Sequence, residues 1–265
     1  MNCKICDTTS EKIFKVKIMN KYDVSYFNCA NCGFIQTEEP YWLNEAYKVS
    51  INLTDVGLLS RNFYFSKLTA TILYYVFGKN TVCLDYAGGY GVFVRLMRDI
   101  GFDFYWQDAY TDNLFAKGFE YDPKNDKTGL ITSFECFEHF INPIDEISKL
   151  LNISNNIVFS TELLPSPAPQ PDKWWYYGFN HGQHISFYSL KTLNYIAKKF
   201  NLYFYSNNCN YHIMTSQKIN PMLLKCLLRF SSHLFEFIIK RRMKSLINDD
   251  VSFLSKHFQT IRPEK

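Results

Sequence analysis

No uninterrupted apolar run in the chain is long enough to span a bilayer, which excludes a helical membrane protein. No apolar leader opens it either. Met1 is followed at once by Cys3 and Cys6, so a secretory signal is not expected and the cytoplasm is the expected compartment. Neither sign of charge dominates: 29 Lys and Arg stand against 25 Asp and Glu, a net +4 too mild to imply a nucleic-acid partner without a basic cluster. No stripe of Lys and Arg interleaves with aromatics, and no internal repeat is visible.

The 265 residues suit one large domain, or a medium one with appendages. Hydrophobic residues make up 47%, ample for a buried core, and the high aromatic share of 18% is mostly core with some left for a pocket or interface. Eight cysteines would suggest disulfides in an exported chain. Four of them, however, form two close pairs, Cys3-x-x-Cys6 and Cys29-x-x-Cys32, on either side of a predicted hairpin (Ile13 to Ile18 and Val24 to Phe27). Each C-x-x-C turn brings two sulfurs to one ion, and four thiolates close a tetrahedral shell, so a structural zinc is expected. Gly33 directly after Cys32 suits the turn. Cys83, Cys136, Cys209 and Cys226 lie in apolar stretches and read as small core residues.

Helical periodicity covers residues 41–80 and stops at Gly78. Strands and helices then alternate. Strands are expected at 82–84, 102–106, 130–134 and 156–160; helices are expected at 91–100, 143–151 and 190–200. Such alternation implies right-handed crossovers and a mostly parallel, Rossmann-like doubly wound α/β sheet. Pro165, Pro167, Pro169 and Pro171 mark a stiff loop. After the first strand comes Asp85-Tyr86-Ala87-Gly88-Gly89-Tyr90-Gly91, a loop whose glycines let backbone pass close to a ligand at the head of a helix. Asp108 ends the second strand, where an acid can accept from ribose hydroxyls. A nicotinamide enzyme would show G-x-G-x-x-G; here no third glycine follows at the helix.

This loop resembles the first motif of the class I S-adenosylmethionine-dependent methyltransferases, an acid followed by G-x-G-x-G, with Ala87 standing at the first glycine. The stretch Thr132 to Phe140, with its Glu138-His139 pair, is similar to that family's fourth-strand motif, and His184 to Ser189 is also similar. The resemblance covers about residues 80–206. It implies that Asp85, Ala87, Gly88, Gly89 and Gly91 hold the amino-acid half of the cofactor, that Asp108 holds the ribose, and that Phe134 and Glu135 line the same site. The usual helix and third strand are compressed into 113–121, where Phe119 and Glu120 are candidates for adenine contacts. The cysteine region resembles the zinc-binding domain attached to sugar C-methyltransferases and to methyltransferases of surface-glycan clusters.

A methyl on sulfonium is already activated, so the protein mainly aligns an acceptor and removes one proton. His184 and His181 are the candidate bases, with Glu135 or Glu138 next. Trp174 to Tyr177 offer a stacking face or a lid over the acceptor. Residues 221–244 read as one amphipathic helix ending in Lys240-Arg241-Arg242, fit to dock on the enzyme, on a second subunit as a homodimer, or on the inner membrane face. The tail after Asn248 is polar and expected to be loosely ordered. The expected organisation is a zinc ribbon over 1–40, a helical linker over 41–80, the methyltransferase domain over 81–215 and a helical extension over 216–265. The expected activity is methyl transfer from S-adenosylmethionine to a small-molecule or sugar acceptor. The alternatives are a cofactor-binding module without transfer, and an RNA-modifying enzyme.

Overall fold

The structure, a computed structural model, describes residues 1–48, 55–124, 127–231 and 236–261. In chain order the strands are β1 (Glu11–Ile18), β2 (Tyr22–Asn28), β3 (Ile35–Thr37), β4 (Cys83–Tyr86), β5 (Phe104–Gln107), β6 (Leu130–Ser133), β7 (Asn156–Ser160), β8 (Ser186–Phe187), β9 (Tyr203–Ser206) and β10 (Tyr211–Thr215). The helices are α1 (Leu43–Ala46), α2 (Leu58–Ile72), α3 (Val92–Ile100), α4 (Pro143–Ile153), α5 (Leu190–Lys199), α6 (Pro221–Phe230), α7 (Glu236–Arg242) and α8 (Ile247–Ile261). The chain divides into two compact units, one of Met1–Asp55 with Ile131–Lys218 and one of Val56–Leu130 with Ile219–Lys265.

In the first unit β1-β2-β3-β8 form an antiparallel sheet. Met19 and Asn20 take positive φ in the three-residue connection from β1 to β2, where the Lys21 N–H donates to the Ile18 carbonyl at 2.9 Å. Lys15 and Lys17 point to water while Phe14, Val16 and Ile18 turn inward, and Phe14 stacks on Tyr26 at 4.8 Å. The core beneath this sheet gathers Val24, Tyr26, Ile35, Trp42, Tyr176 and Phe187, and the Trp42 indole donates to the Gly182 carbonyl at 2.7 Å. The unit also carries β6 and β7, paired in parallel, with β10 and then β9 added antiparallel beyond β7. Ser189 and Thr192 form a capping box at the start of α5, and the Thr192 hydroxyl also donates to the Cys32 carbonyl at 2.9 Å.

In the second unit β4 and β5 pair in parallel across the α3 crossover. The second strand starts two residues later than expected because Phe102 donates its N–H back to the Met97 carbonyl, closing the end of α3. Helix α3 buries Phe93, Val94 and Met97, and with them Arg98. That guanidinium is held on every side. It donates to both oxygens of Asp250 (2.7 and 3.0 Å), to Asp103 at 2.6 Å and to the Phe104 carbonyl at 3.1 Å, and its carbon lies 3.8 Å from the centre of the Phe119 ring. Arg95 adds a second bond to Asp250 at 2.9 Å.

The C-terminal region departs from expectation. Of the run over 221–244, α6 and α7 are helical, and residues 232–235 between them lie outside the described residues. The segment after Asn248 is helical through Ile261, because Asp250 anchors it to α3; Arg262 to Lys265 lie outside the described residues. Among the described residues no helix is long and apolar enough to cross a membrane.

Asp250→Ala is expected to destabilise the fold by about 3–5 kcal/mol, since it leaves a buried guanidinium without its partner; thermal melts check this. Burial raises the pKa of Asp250, but the hydrogen bonds from Arg98 and Arg95 outweigh it and hold the carboxyl below its ordinary value. A depressed acid contributes stability that is present above its unfolded pKa, roughly 3.9, and is lost as pH falls through the folded value. Asp250→Asn should flatten that acid limb of stability.

Candidate active site

The cysteine pairs converge. Sγ of Cys3 lies 3.5 Å from that of Cys32, Sγ of Cys6 lies 3.4 Å from that of Cys29, and all four sulfurs fall within 4.8 Å of one another. Tetrahedral zinc bound at about 2.3 Å separates its sulfurs by roughly 3.8 Å, so the four could hold the ion with little movement. The knuckle backbone is built for it. Ile5 donates its N–H to Cys3 Sγ at 3.4 Å, and Gly33, at φ +74°, turns back to the Cys29 carbonyl at 2.7 Å. The Cys32 thiol hydrogen-bonds Cys3 and draws its pKa down to about 5 against the opposing effect of burial. Cys83 and Cys136 are buried as expected, whereas Cys209 and Cys226 are exposed and are not core. Cys209 sits in the turn between β9 and β10, and Cys226 on an outward face of α6.

The second unit carries the glycine loop between β4 and α3. Ala87, Gly89 and Gly91 all adopt positive φ (58°, 53° and 83°), so the alanine takes the left-handed backbone that a glycine adopts more readily. A Cβ at Gly88 would lie 2.8 Å from Asp85 Oδ2 and 2.8 Å from the Trp106 ring, while a Cβ at Gly89 would meet nothing within 4 Å. Asp85 is thus buried beneath the loop, and the space beside Gly89 is open. Asp108 accepts from the Gly89 N–H at 2.9 Å and from Tyr110 and Thr111 at 2.7 and 2.9 Å. Its carboxylate fixes the loop from its edge. Sequence reasoning missed Trp106, whose indole donates to the Gly89 carbonyl at 2.8 Å; an aromatic two residues before Asp108 was the available signal.

The candidate chemistry of the first unit clusters around a short 3₁₀ turn, Phe137–His139. Glu138 in that turn is fully buried, and neither carboxyl oxygen has a hydrogen-bond partner. Burial pushes its pKa up to about 8, Glu135 adds to the rise, and the nearby Tyr176 and Thr161 hydroxyls oppose it weakly. His139 presents Nδ1 to the Gln183 carbonyl at 3.1 Å and the Tyr47 hydroxyl at 3.0 Å. His184 donates from Nδ1 to the Tyr176 carbonyl at 2.7 Å, which leaves the lone pair on Nε2. His181 is the reverse, its Nδ1 accepting from the Gln183 N–H at 3.1 Å, so its proton sits on Nε2. Glu135 holds a left-handed backbone (φ 52°) through a reciprocal pair, its N–H donating to Ser160 Oγ and that hydroxyl donating to Glu135 Oε1. Phe134 lies over Tyr211 at 6.3 Å.

Residues 60–207 match the methyltransferase domain family. The chain belongs to that family. It therefore has the α/β methyltransferase fold with a mostly parallel central sheet. Distant solved structures of similar fold include the plantazolicin methyltransferase BpumL with SAH (12% identity, 59% of this chain and 84% of that one, TM-score 0.43). Human N-acetylserotonin methyltransferase with SAM is a second (12%, 68% and 60%, TM-score 0.46). An O-methyltransferase family 2 protein from Planctomyces limnophilus with apigenin is a third (13%, 65% and 66%, TM-score 0.44). No curated protein matches in sequence.

Two expectations for this methyltransferase need correction. Tyr176 and Tyr177 are buried core residues, so the aromatic run is no lid; Trp175 alone is largely exposed, at 77%. Phe119 is buried between Arg98 and Phe253 and is committed to packing, which removes it from the adenine contacts. Glu120 bridges Trp106 in parallel, a remnant of a third strand, and its carboxylate accepts from Asn113 at 2.7 Å and from the Gly118 N–H at 2.9 Å.

A thiol reagent should label Cys209 and Cys226 first in the native protein. Chelator strong enough to remove zinc should then expose the four knuckle thiols together, with about one zinc released per chain as a four-thiolate shell requires. Knuckle thiols that react as fast as Cys209 before chelation would refute the metal shell.

Proposed function

We propose that the chain transfers a methyl group from S-adenosylmethionine to a small-molecule or sugar acceptor, in surface-glycan biosynthesis. The observation that carries the cofactor half is the glycine loop: open space at Gly89, left-handed backbone at Ala87 and Gly91, and Asp108 bound to the loop at its edge. In this reading Asp85 and the loop hold the amino-acid half of the cofactor, Asp108 the ribose, and Phe134 and Glu135 the same site from the fourth-strand motif. Ala87 already adopts the backbone its place requires, so it gives no reason to assign a cofactor-binding module without transfer. The glycan assignment rests on the resemblance of the cysteine region, and the zinc there is structural because its shell is closed.

The acceptor loses its proton at His184, with His181 and Glu135 the further candidates for that role. His184 is preferred because its lone pair is on Nε2, while His181 carries its proton there. The same reading places the protein in the cytoplasm, with α6 and α7 exposing Met222, Leu223, Phe230 and Phe237 to a membrane surface or a second subunit.

His184→Asn should lower turnover by about 10²–10⁴-fold, the range of a positioned acid–base group, with cofactor affinity nearly unchanged. Gly89→Val should abolish S-adenosylmethionine binding in calorimetry by filling the open space. Mass spectrometry of cell extracts supplied with isotopically labelled cofactor identifies the acceptor. Full cofactor affinity in Gly89→Val would overturn the assignment of the cofactor site, and wild-type turnover in His184→Asn would remove the histidine from the chemistry.

A further inference from the structure

The first unit holds a second convergence of ligand-type side chains that the cysteine knuckles do not explain. One atom each of Glu138, His139 and His184 lie within 4.8 Å of one another. Both histidines are oriented from behind. His184 Nδ1 donates to the Tyr176 carbonyl, and a proton on His139 Nδ1 satisfies the Gln183 carbonyl, so each ring keeps its lone pair on Nε2. Gln183 is itself fixed by its amide, which donates to the Ala46 carbonyl at 2.9 Å. A backbone carbonyl on one ring nitrogen is the outer support that metal-bound imidazoles usually have. The third group is Glu138, with no exposed surface and no hydrogen bond to either oxygen. Burying a carboxyl without a partner is costly, and a cation between it and two imidazoles removes that cost.

We propose that Glu138, His139 and His184 bind a divalent transition-metal ion. Two imidazoles and one carboxylate suit zinc, iron(II), cobalt(II) or manganese(II); the set has too few oxygens for calcium or magnesium and no thiolate for copper(I). Tetrahedral ligands at about 2.05 Å stand roughly 3.3 Å apart, so three groups that lie within 4.8 Å of one another close on an ion by side-chain movement. Three protein ligands leave a coordination position open, and a hydroxyl or water oxygen filling it has its pKa lowered by the ion. The substrate class follows: an acceptor that offers an oxygen to the metal, its proton made easier to lose to bulk water by the ion; with the ion bound, His184 Nε2 is a ligand and no longer the proton acceptor. Only this last step rests on the methyltransferase reading; metal binding itself does not.

The test uses the full chain with its cysteine-bound zinc left in place. Mild chelation clears weaker sites, and Co²⁺ is then titrated while visible absorption and metal content are read. Wild type should take one further equivalent of Co²⁺ that lacks the near-ultraviolet thiolate charge-transfer band, with the zinc content unchanged. Glu138→Gln and His184→Ala should each weaken that binding by at least about 10–100-fold, the loss that changes to outer-shell partners alone produce. X-ray absorption of the cobalt-loaded wild type should give a nitrogen and oxygen shell with imidazole scattering, a readout that does not need the variants to fold. No further equivalent in wild type, cobalt that enters only by displacing zinc onto sulfur, or unchanged affinity in both variants would overturn the proposal. Cofactor affinity measured on the same samples reports separately on the methyltransferase reading.

Discussion

The pairing of β8 with β3 is the contact on which the placement of the histidine segment depends. Through Ser186 and Phe187 the segment that carries His184 becomes the edge strand of the sheet built on the cysteine hairpin. The Trp42 indole fastens the preceding turn at Gly182, and the Ile185 N–H donates to the Glu138 carbonyl at 2.9 Å. That placement fixes the backbone on either side of His184, while the rings are aimed by the Tyr176 and Gln183 carbonyls. The cysteine hairpin is therefore more than an appendage: β3, which follows it, pairs with the strand that continues from His184.

The glycine loop shows a different kind of constraint. Its shape is held by polar groups: Asp108 and the Trp106 indole grip Gly89 from its two backbone ends, and Asp85 lies under Gly88. A preorganised loop of this kind gives a ligand backbone to approach without reordering the chain, which lowers the entropic cost of binding.

Local chemistry made much of this legible in advance. The two C-x-x-C pairs, the strand-to-helix glycine turn, the strand at Asn156–Ser160 and the helix opened by Pro143 all declare themselves within a dozen residues. Long-range pairing stayed hidden. Nothing near Asp250 announces that a buried arginine on α3 would order the last helix, and nothing in Trp-Trp-Tyr-Tyr separates the exposed Trp175 from its buried neighbours. Asp250 lies 152 residues from Arg98, and Tyr177 packs on Phe14 and Tyr26 of the N-terminal hairpin, so no periodicity carries them. Glu138 could be named from the sequence, but its lack of any hydrogen bond is a property of three dimensions.

The shared edge of β3 and β8 also bears on how such enzymes diversify. A new acceptor is normally accommodated by exchanging loops on a constant scaffold. Here the loop that carries His184 is hydrogen-bonded into the N-terminal sheet, and its continuation at Ser189 sits against Gly33, where a Cβ would lie 2.7 Å from the hydroxyl. Variation in one must be matched by variation in the other. The hairpin with its cysteines and the stretch from Glu138 to Ser189 form a single structural cassette, and a graft that moved either without its counterpart would carry a strand with no edge to join.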